Sequence, residues 1–301
     1  MKINILGCHS ATPKADANPT SQVLEIRNHV FLIDCGEGTQ IQLRRKKIKF
    51  SRIKHIFISH LHGDHYFGLV GLISTFRLLT RESDLHIYGP KGLKDIITLQ
   101  MKLSESWTNY NLIFHELTSK KSECIYEDDK VEVHTIPLKH RIYTNGFLFK
   151  EKDSQRKLDV RAAQDAHIDI AYYRKLKQGF DVVNNEGQLV KNEMVTSAPK
   201  KSLSYAYCSD TAYNESMISI INLVDVLYHE STFLEKNQKL AVKTKHSTAI
   251  QAATIAKKAQ VKNLILGHYS TRYDNLDEFK VEAMTIFNNV QLAQDGKIFE
   301  F

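Results

Sequence analysis

The sequence lacks paired cysteines, long apolar runs and an acidic balance. Its 301 residues include only four cysteines, Cys8, Cys35, Cys124 and Cys208, far apart and without a C-x-x-C pair. That spacing argues against a disulfide framework and for reduced thiols. No apolar run approaches the roughly 20 residues of a membrane span, which excludes a membrane partner of that kind. The N-terminal M-K-I-N-I-L-G enters a strand-like run with no signal-peptide pattern, so a cytoplasmic location is expected. Basic residues exceed acidic ones, 41 to 34, for a net charge of +7. A polyanion such as nucleic acid suits that surface, and 42% hydrophobic residues suffice for a sizeable core.

What is present centres on Ser59 to His65, S-H-L-H-G-D-H. An isoleucine-rich run, Ile53 to Ile58, reads as a strand before it, and Gly68 to Leu79 has helical spacing after it. His60, His62, Asp64 and His65 therefore leave one tight strand-to-helix loop. Imidazole and carboxylate donors suit a borderline divalent ion such as zinc. The absence of thiolates from the cluster points to a catalytic rather than a structural site.

Along the chain, Ile3 to Leu6 reads as a strand, followed by a loop over 7–21. Val23 to Ile26 and Val30 to Ile33 read as a hairpin that ends in D-C-G-E-G-T, where Asp34 is placed to hold a neighbouring loop by hydrogen bonds. A helix is expected over Gln40 to Lys47. From Arg44 to Lys54 there are seven Lys or Arg and no acid, a solvated face or a phosphate contact. Leu85 to Tyr88 reads as a strand and Gly92 to Ser104 as a helix. Later apolar runs then end repeatedly in metal-competent residues: His140, Asp210, His229 with Glu230, and His268. Strands that deliver His or Asp at one end build a site along one sheet edge, and with the first cluster they supply enough ligands for two ions, Asp210 being the natural bridge. Lys150 to Lys201 breaks the strand alternation, with eleven basic and eight acidic residues, and reads as an insertion, a polar excursion or a substrate-gripping arm. Thr248 and Gln251 make a capping-box pattern into Ala249 to Lys258, which sets His246 beside a helix N-terminus. Asp277 to Asn288 is read as a helix and Lys297 to Phe301 as a strand.

These motifs, with D-C-G-E-G-T-Q at 34–40, I-Y-G-P-K-G at 87–92, S-D-T at 209–211, H-E-S-T at 229–232, K-H-S-T-A at 245–249 and G-H-Y-S-T-R-Y at 267–273, run nearly end to end. The chain resembles the metallo-β-lactamase superfamily and, within it, the ribonuclease Z family, which trims tRNA precursors at the 3′ end. The resemblance implies an α/β fold, an αββα sandwich formed by residues 1–301 as one domain, with a protruding arm inserted at 151–199. It implies two zinc ions per chain, one held by His60, His62 and His140 and the other by Asp64, His65 and His268, with Asp210 bridging. It further implies Asp64 as proton acceptor, His246 as proton donor oriented by Glu230, and Asp34 as support for the ligands. The expected partners are precursor tRNA and a second copy in a homodimer. The chain departs from the family in A-H-I-D-I-A-Y, ahead of Lys175 to Gly179, in place of a Gly-Pro-rich stretch, and in alanine at 15 and 17.

Three alternatives compete: a dinuclear-zinc phosphodiesterase acting on a small molecule, a non-catalytic RNA-binding relative, and an iron-based redox relative. The filled ligand positions disfavour the second, and His62 in place of glutamate disfavours the third.

Overall fold

Two seven-stranded sheets face each other across the largest core. The structure, a computed structural model, describes residues 1–301. In chain order the strands are β1 (Lys2–Gly7), β2 (Ser21–Ile26), β3 (His29–Ile33), β4 (Ile53–Phe57), β5 (Leu85–Pro90), β6 (Leu112–Leu117), β7 (Cys124–Glu127), β8 (Val131–Pro137) and β9 (Asn145–Glu151). There follow short strands β10 (Lys157–Leu158), β11 (Val182–Val183), β12 (Leu189–Val190) and β13 (Thr196–Ser197), then β14 (Ser204–Cys208), β15 (Val226–Glu230), β16 (Asn263–Gly267), β17 (Val290–Leu292) and β18 (Ile298–Glu300). The first sheet runs β18-β1-β2-β3-β4-β5-β6 and the second β17-β16-β15-β14-β9-β8-β7. Strands β3 to β6 are mutually parallel, as are β14 to β17. The rest pair antiparallel.

Period-two alternation divides the first sheet between two cores. Ile3, Ile5, Phe31, Ile33 and Phe57 enter the core between the sheets, where they meet Phe147, Phe149 and Tyr205. Val30, Leu32, Ile56 and Ile58 face the other way, onto Leu43, Leu69, Leu72, Ile73 and Phe76 of the covering helices. The second sheet is covered by the helix Ala249–Lys258 through Ala249, Ala252, Ala253 and Ala256. This αββα layering agrees with the expected class.

Local signals explain most boundaries. The β2–β3 turn places Arg27 and Asn28 at φ of 47° and 70°, the left-handed pair that a two-residue hairpin requires. The capping box is present, Thr248 Oγ1 accepting from the Gln251 amide at 3.3 Å. Two helices are shorter than their sequence patterns: Thr39–Arg45 stops before Lys47, and Asp277–Met284 stops four residues before Asn288. The stretch expected as one helix from Gly68 is preceded by a separate turn of helix, Gly63–Tyr66, which carries Asp64 and His65.

Residues 157–197 form two small ladders, β10 with β13 and β11 with β12, around a separate core of Ala163, Ile168, Leu176, Val182, Val190 and Val195. The excursion is therefore folded, on a minimal core of its own.

Histidines from four strands also gather between the sheets. His55 stacks on His86 with centroids 5.0 Å apart, and His86 Nδ1 lies 3.0 Å from His115 Nε2. His29 pairs with Asp128 at 2.9 Å, and Tyr126 closes over His55 at 4.6 Å. Burial first, then His86, His29, His115 and Lys54, depress His55 from 6.5 to about 3. The unfolded chain thus accepts a proton below pH 6.5 that the folded chain refuses until about pH 3. Folding stability falls as pH is lowered through that window, by at most about 1.4 kcal/mol per pH unit from this group. Urea midpoints of the parent and His55→Phe between pH 7 and pH 4 check it: the parent's acid slope exceeds the variant's, and equal slopes would remove His55 as the cause.

Candidate metal centre

All the strand-end residues singled out from sequence lie at the C-terminal ends of strands, on one edge of the sandwich, although the His229 side chain does not join the others. The first sheet contributes Asp34 after β3 and Ser59 to His65 after β4. The second contributes His140 after β8, Asp210 after β14, Glu230 at the end of β15 and His268 after β16. The chain turns sharply there, because Asp34, Asp210 and His268 take φ of 55°, 56° and 59°. Aspartate and histidine tolerate this left-handed region better than most residues. The loops from the two parts of the first sheet interlock, Cys35 N–H donating to the His65 carbonyl at 2.7 Å and Gly68 N–H to the Cys35 carbonyl at 2.9 Å. A Cβ on Gly68 would lie 2.1 Å from the Gly36 carbonyl oxygen, so only glycine fits.

Asp210 divides the donors into two sets. Its Oδ2 lies 3.6 Å from His60 Nε2 and 3.6 Å from His140 Nε2, and His62 Nδ1 is 2.9 Å and 3.2 Å from those same nitrogens. Its Oδ1 lies 3.2 Å from His65 Nε2 and 3.0 Å from His268 Nε2. Asp64 Oδ2 completes this second set at 3.4 Å and 3.6 Å. A tetrahedral ion bound at about 2.0–2.2 Å needs donors about 3.3–3.6 Å apart. The buried Nε2 atoms of His65 and His268 have no hydrogen-bond partner. The donors therefore fit two divalent cations sharing one carboxylate.

The charges agree. At His65 the Asp64, Asp210 and Asp34 carboxylates outweigh burial and raise the imidazole well above its ordinary value. Asp210 and Asp64 outweigh burial likewise at His268, lifting it to about 10. Asp64 and Asp210 are held below the usual carboxylate range by the surrounding imidazoles, against burial. His60, His62 and His140 are pushed down by burial and neighbouring imidazoles, so they stay neutral with lone pairs free.

Behind the donors stand two fully buried carboxylates, Asp34 and Glu230. Asp34 accepts from the Ser59 amide at 2.7 Å, Ser59 Oγ at 2.9 Å, Tyr207 Oη at 2.6 Å and His65 Nδ1 at 2.7 Å. His60 Nδ1 lies 3.0 Å from Ser59 Oγ and donates to it. Glu230 accepts from the Thr211 and Ser247 amides, from Thr232 Oγ1 at 2.6 Å and from His246 Nδ1 at 2.8 Å. His268 Nδ1 donates to Thr232 Oγ1 at 2.9 Å, and His140 Nδ1 to the Lys245 carbonyl at 2.9 Å. These bonds occupy Nδ1 of His60, His65, His140 and His268 and leave their Nε2 as the metal-facing atom, whereas His62 faces its set through Nδ1. His246 Nε2 lies 3.9 Å from Asp210 Oδ2, and the Glu230 carboxylate outweighs burial to raise it.

A cleft of about 450 Å³ opens over the centre, lined among others by Asp64, Phe67, Arg141, His246 and Arg272. His229 stays outside it: fully buried, it bonds the Glu230 carbonyl at 2.7 Å. The basic run also lies elsewhere. Arg44, Lys47 and Lys49 line a cavity of about 580 Å³ that shares no residue with the cleft. The sequence reading missed Tyr207 and Thr232, of which only Thr232 carried a signal, as part of H-E-S-T.

An αββα sandwich with this paired donor set at one edge defines a metal-dependent hydrolase of metallo-β-lactamase fold. Comparison with known proteins narrows the class. The chain is 45% identical over 296 residues to ribonuclease Z of Bacteroides thetaiotaomicron, covering 98% of this chain and 93% of the relative. It is 46% identical over 296 residues to that of Cytophaga hutchinsonii, covering 98% and 94%. The crystal structure of human tRNase Z, short form, superposes with a TM-score of 0.73 at 27% identity, over 100% and 99% of the two chains. The chain belongs to the ribonuclease Z family, and its residues 1–197 also match the family model described as anti-Pycsar protein Apyc1.

Removing the carboxylate behind His65 without removing a donor tests this layering. Asp34→Asn is expected to weaken zinc binding roughly 10–100-fold, measured by chelator competition on the folded protein; unchanged affinity would make Asp34 a purely structural residue.

Proposed function

We propose that the protein cleaves the 3′ trailer from tRNA precursors as a two-zinc endoribonuclease. The observation that carries this reading is Asp210, whose two oxygens face two separate donor sets beneath an open cleft. His60, His62, His140 and Asp210 would hold one ion, and Asp64, His65, His268 and Asp210 the other. When bound, the pair supplies Lewis acidity, acidifying water and withdrawing charge from the phosphodiester. Asp64, at the cleft floor, takes a proton from the attacking water. His246, held through Nδ1 by Glu230 and Thr232, presents Nε2 to the cleft and gives a proton to the leaving 3′ oxygen. A water oxygen–phosphorus bond forms and the P–O3′ bond breaks, leaving a 3′-hydroxyl on the tRNA and a 5′-phosphate on the trailer.

The folded unit within residues 151–199 is the substrate-binding arm of an otherwise single domain. Supporting this, it exposes Ile170, Tyr172 and Phe180 beside Lys175, whose ammonium lies 5.7 Å from the Tyr172 ring. Homodimerisation is supported by Ile41, Leu78, Leu99, Leu103 and Trp107, large apolar side chains left exposed on and beside the helices that cover the first sheet. No helix is long and apolar enough to cross a membrane, and all four thiols are free; both fit a cytoplasmic enzyme.

Cleavage of an end-labelled precursor, mapped to the nucleotide, tests the reaction. The parent makes one cut at the trailer junction, chelation abolishes it, and Asp64→Ala lowers it by at least about 10²-fold. A folded, zinc-loaded protein that leaves the precursor intact would favour the small-molecule phosphodiesterase. Deleting 153–199 is expected to abolish precursor binding while hydrolysis of bis-p-nitrophenyl phosphate persists. Loss of both by a folded deletion would refute the assigned division of labour.

A further inference from the structure

Outside the dinuclear centre, one other cluster combines a thiol, an imidazole and a carboxylate. Cys8 follows β1, His9 is next to it, and Asp295 lies in the turn between β17 and β18. Cys8 Sγ is 3.5 Å from Asp295 Oδ1 and 4.0 Å from His9 Nδ1, and His9 Nδ1 is 3.9 Å from Asp295 Oδ1. We propose that Cys8, His9 and Asp295 form a third, mononuclear site for a zinc-type divalent ion, separate from the catalytic pair.

The Cys8–Asp295 separation of 3.5 Å is that set by a tetrahedral ion with sulfur at about 2.3 Å and oxygen at about 2.0–2.2 Å, and the partly exposed His9 ring, 4.0 Å and 3.9 Å from the two, closes by about 0.5 Å to join them. The mixed donor set selects zinc or cobalt over magnesium and calcium. The carboxylate is already oriented: Asp295 Oδ2 accepts from the Asn18 amide at 2.6 Å and from its side chain at 2.7 Å. Only Oδ1, facing Cys8 and His9, is left with a weak thiol donor. Cys8 is fully buried, whereas His9 and Asp295 are 14% and 19% exposed, so water can complete the coordination. Binding releases the Cys8 thiol proton to solvent.

The site closes a loop over the catalytic cleft. Cys8 and His9 begin the loop and Asn18 ends it, all on one carboxylate, while Ser10, Ala11 and Thr12 between them line the cleft. The ion acts as a staple for a substrate-facing loop.

Cobalt(II) reads this site alone, because the dinuclear centre contains no sulfur. The full-length chain loaded with cobalt should show a thiolate-to-cobalt charge-transfer band. That band disappears in Cys8→Ser and Asp295→Asn and persists in Cys124→Ser. Zinc analysis of Cys8→Ser and Asp295→Asn gives one equivalent per chain fewer than the parent, and Cys124→Ser keeps the parent's content. His9→Gln, at a partly exposed position, provides a variant that keeps the core intact. No band in the folded, cobalt-loaded parent, or a band that survives Cys8→Ser, overturns the proposal. Either result stands whether or not the protein cleaves tRNA precursors.

Discussion

The centre depends on holding electron pairs against one another. Asp210 and the nitrogens facing it approach to 3.0–3.6 Å, with too few protons among them to make every contact a hydrogen bond. Such a cluster does not hold itself together. It persists because the folded chain fixes each side chain from behind, through Asp34 and Glu230. A buried, hydrogen-bonded carboxylate costs several kcal/mol to desolvate and is stable only when saturated with donors. Each of these two receives at least four hydrogen bonds, one of them from a backbone amide at Asp34 and three at Glu230. A cation then finds the donors in place and loses little to reorganisation.

The sandwich sets the spacing between the two halves of the centre. One sheet supplies Asp34 and the S-H-L-H-G-D-H loop, and the other supplies His140, Asp210, Glu230 and His268, so the core between them governs how the donors from the two sheets meet. Tyr207 ties the halves directly, reaching from the second sheet to Asp34 of the first. Tyr205 does the same to Gln22. The strand ends contribute strain as well, since Asp34, Asp210 and His268 each sit in a left-handed conformation at a cost of order 1 kcal/mol or more. That conformation turns the chain off the strand at the point where the side chain must face the cleft.

Much of this was legible in the sequence, and the remainder was hidden for identifiable reasons. Residue type and strand periodicity together placed His140, Asp210 and His268 at strand ends, because few other patterns end an apolar run in a metal-competent side chain. His229 and Glu230 could not be separated that way. Adjacent residues on a strand face opposite sides, and the pattern does not say which side holds the centre. Tyr207 was hidden because its partner lies 173 residues away, and a tyrosine in an apolar strand reads as core. The left-handed turns left no trace, since they fall on aspartate and histidine rather than glycine. Within 150–201 the core residues make no long apolar run, Ile168 lying between His167 and Asp169 and Leu176 between Lys175 and Lys177 for example, so the segment read as an insertion whose own fold was not apparent.

The dimensions of the centre explain why an enzyme of this family needs a second binding surface. A cleft of about 450 Å³ accommodates a phosphodiester and its immediate neighbours, not a folded tRNA. Every RNA offers that linkage, so the chemistry alone is indiscriminate. Selectivity has to come from contacts with the tRNA body, made far enough away that only a substrate of the right length reaches both places. Two weak contacts joined by a rigid substrate bind far better than either alone, provided their separation matches. The small separate core within residues 157–197 is what supports assigning that contact to the proposed arm, while the sandwich keeps the donor geometry fixed.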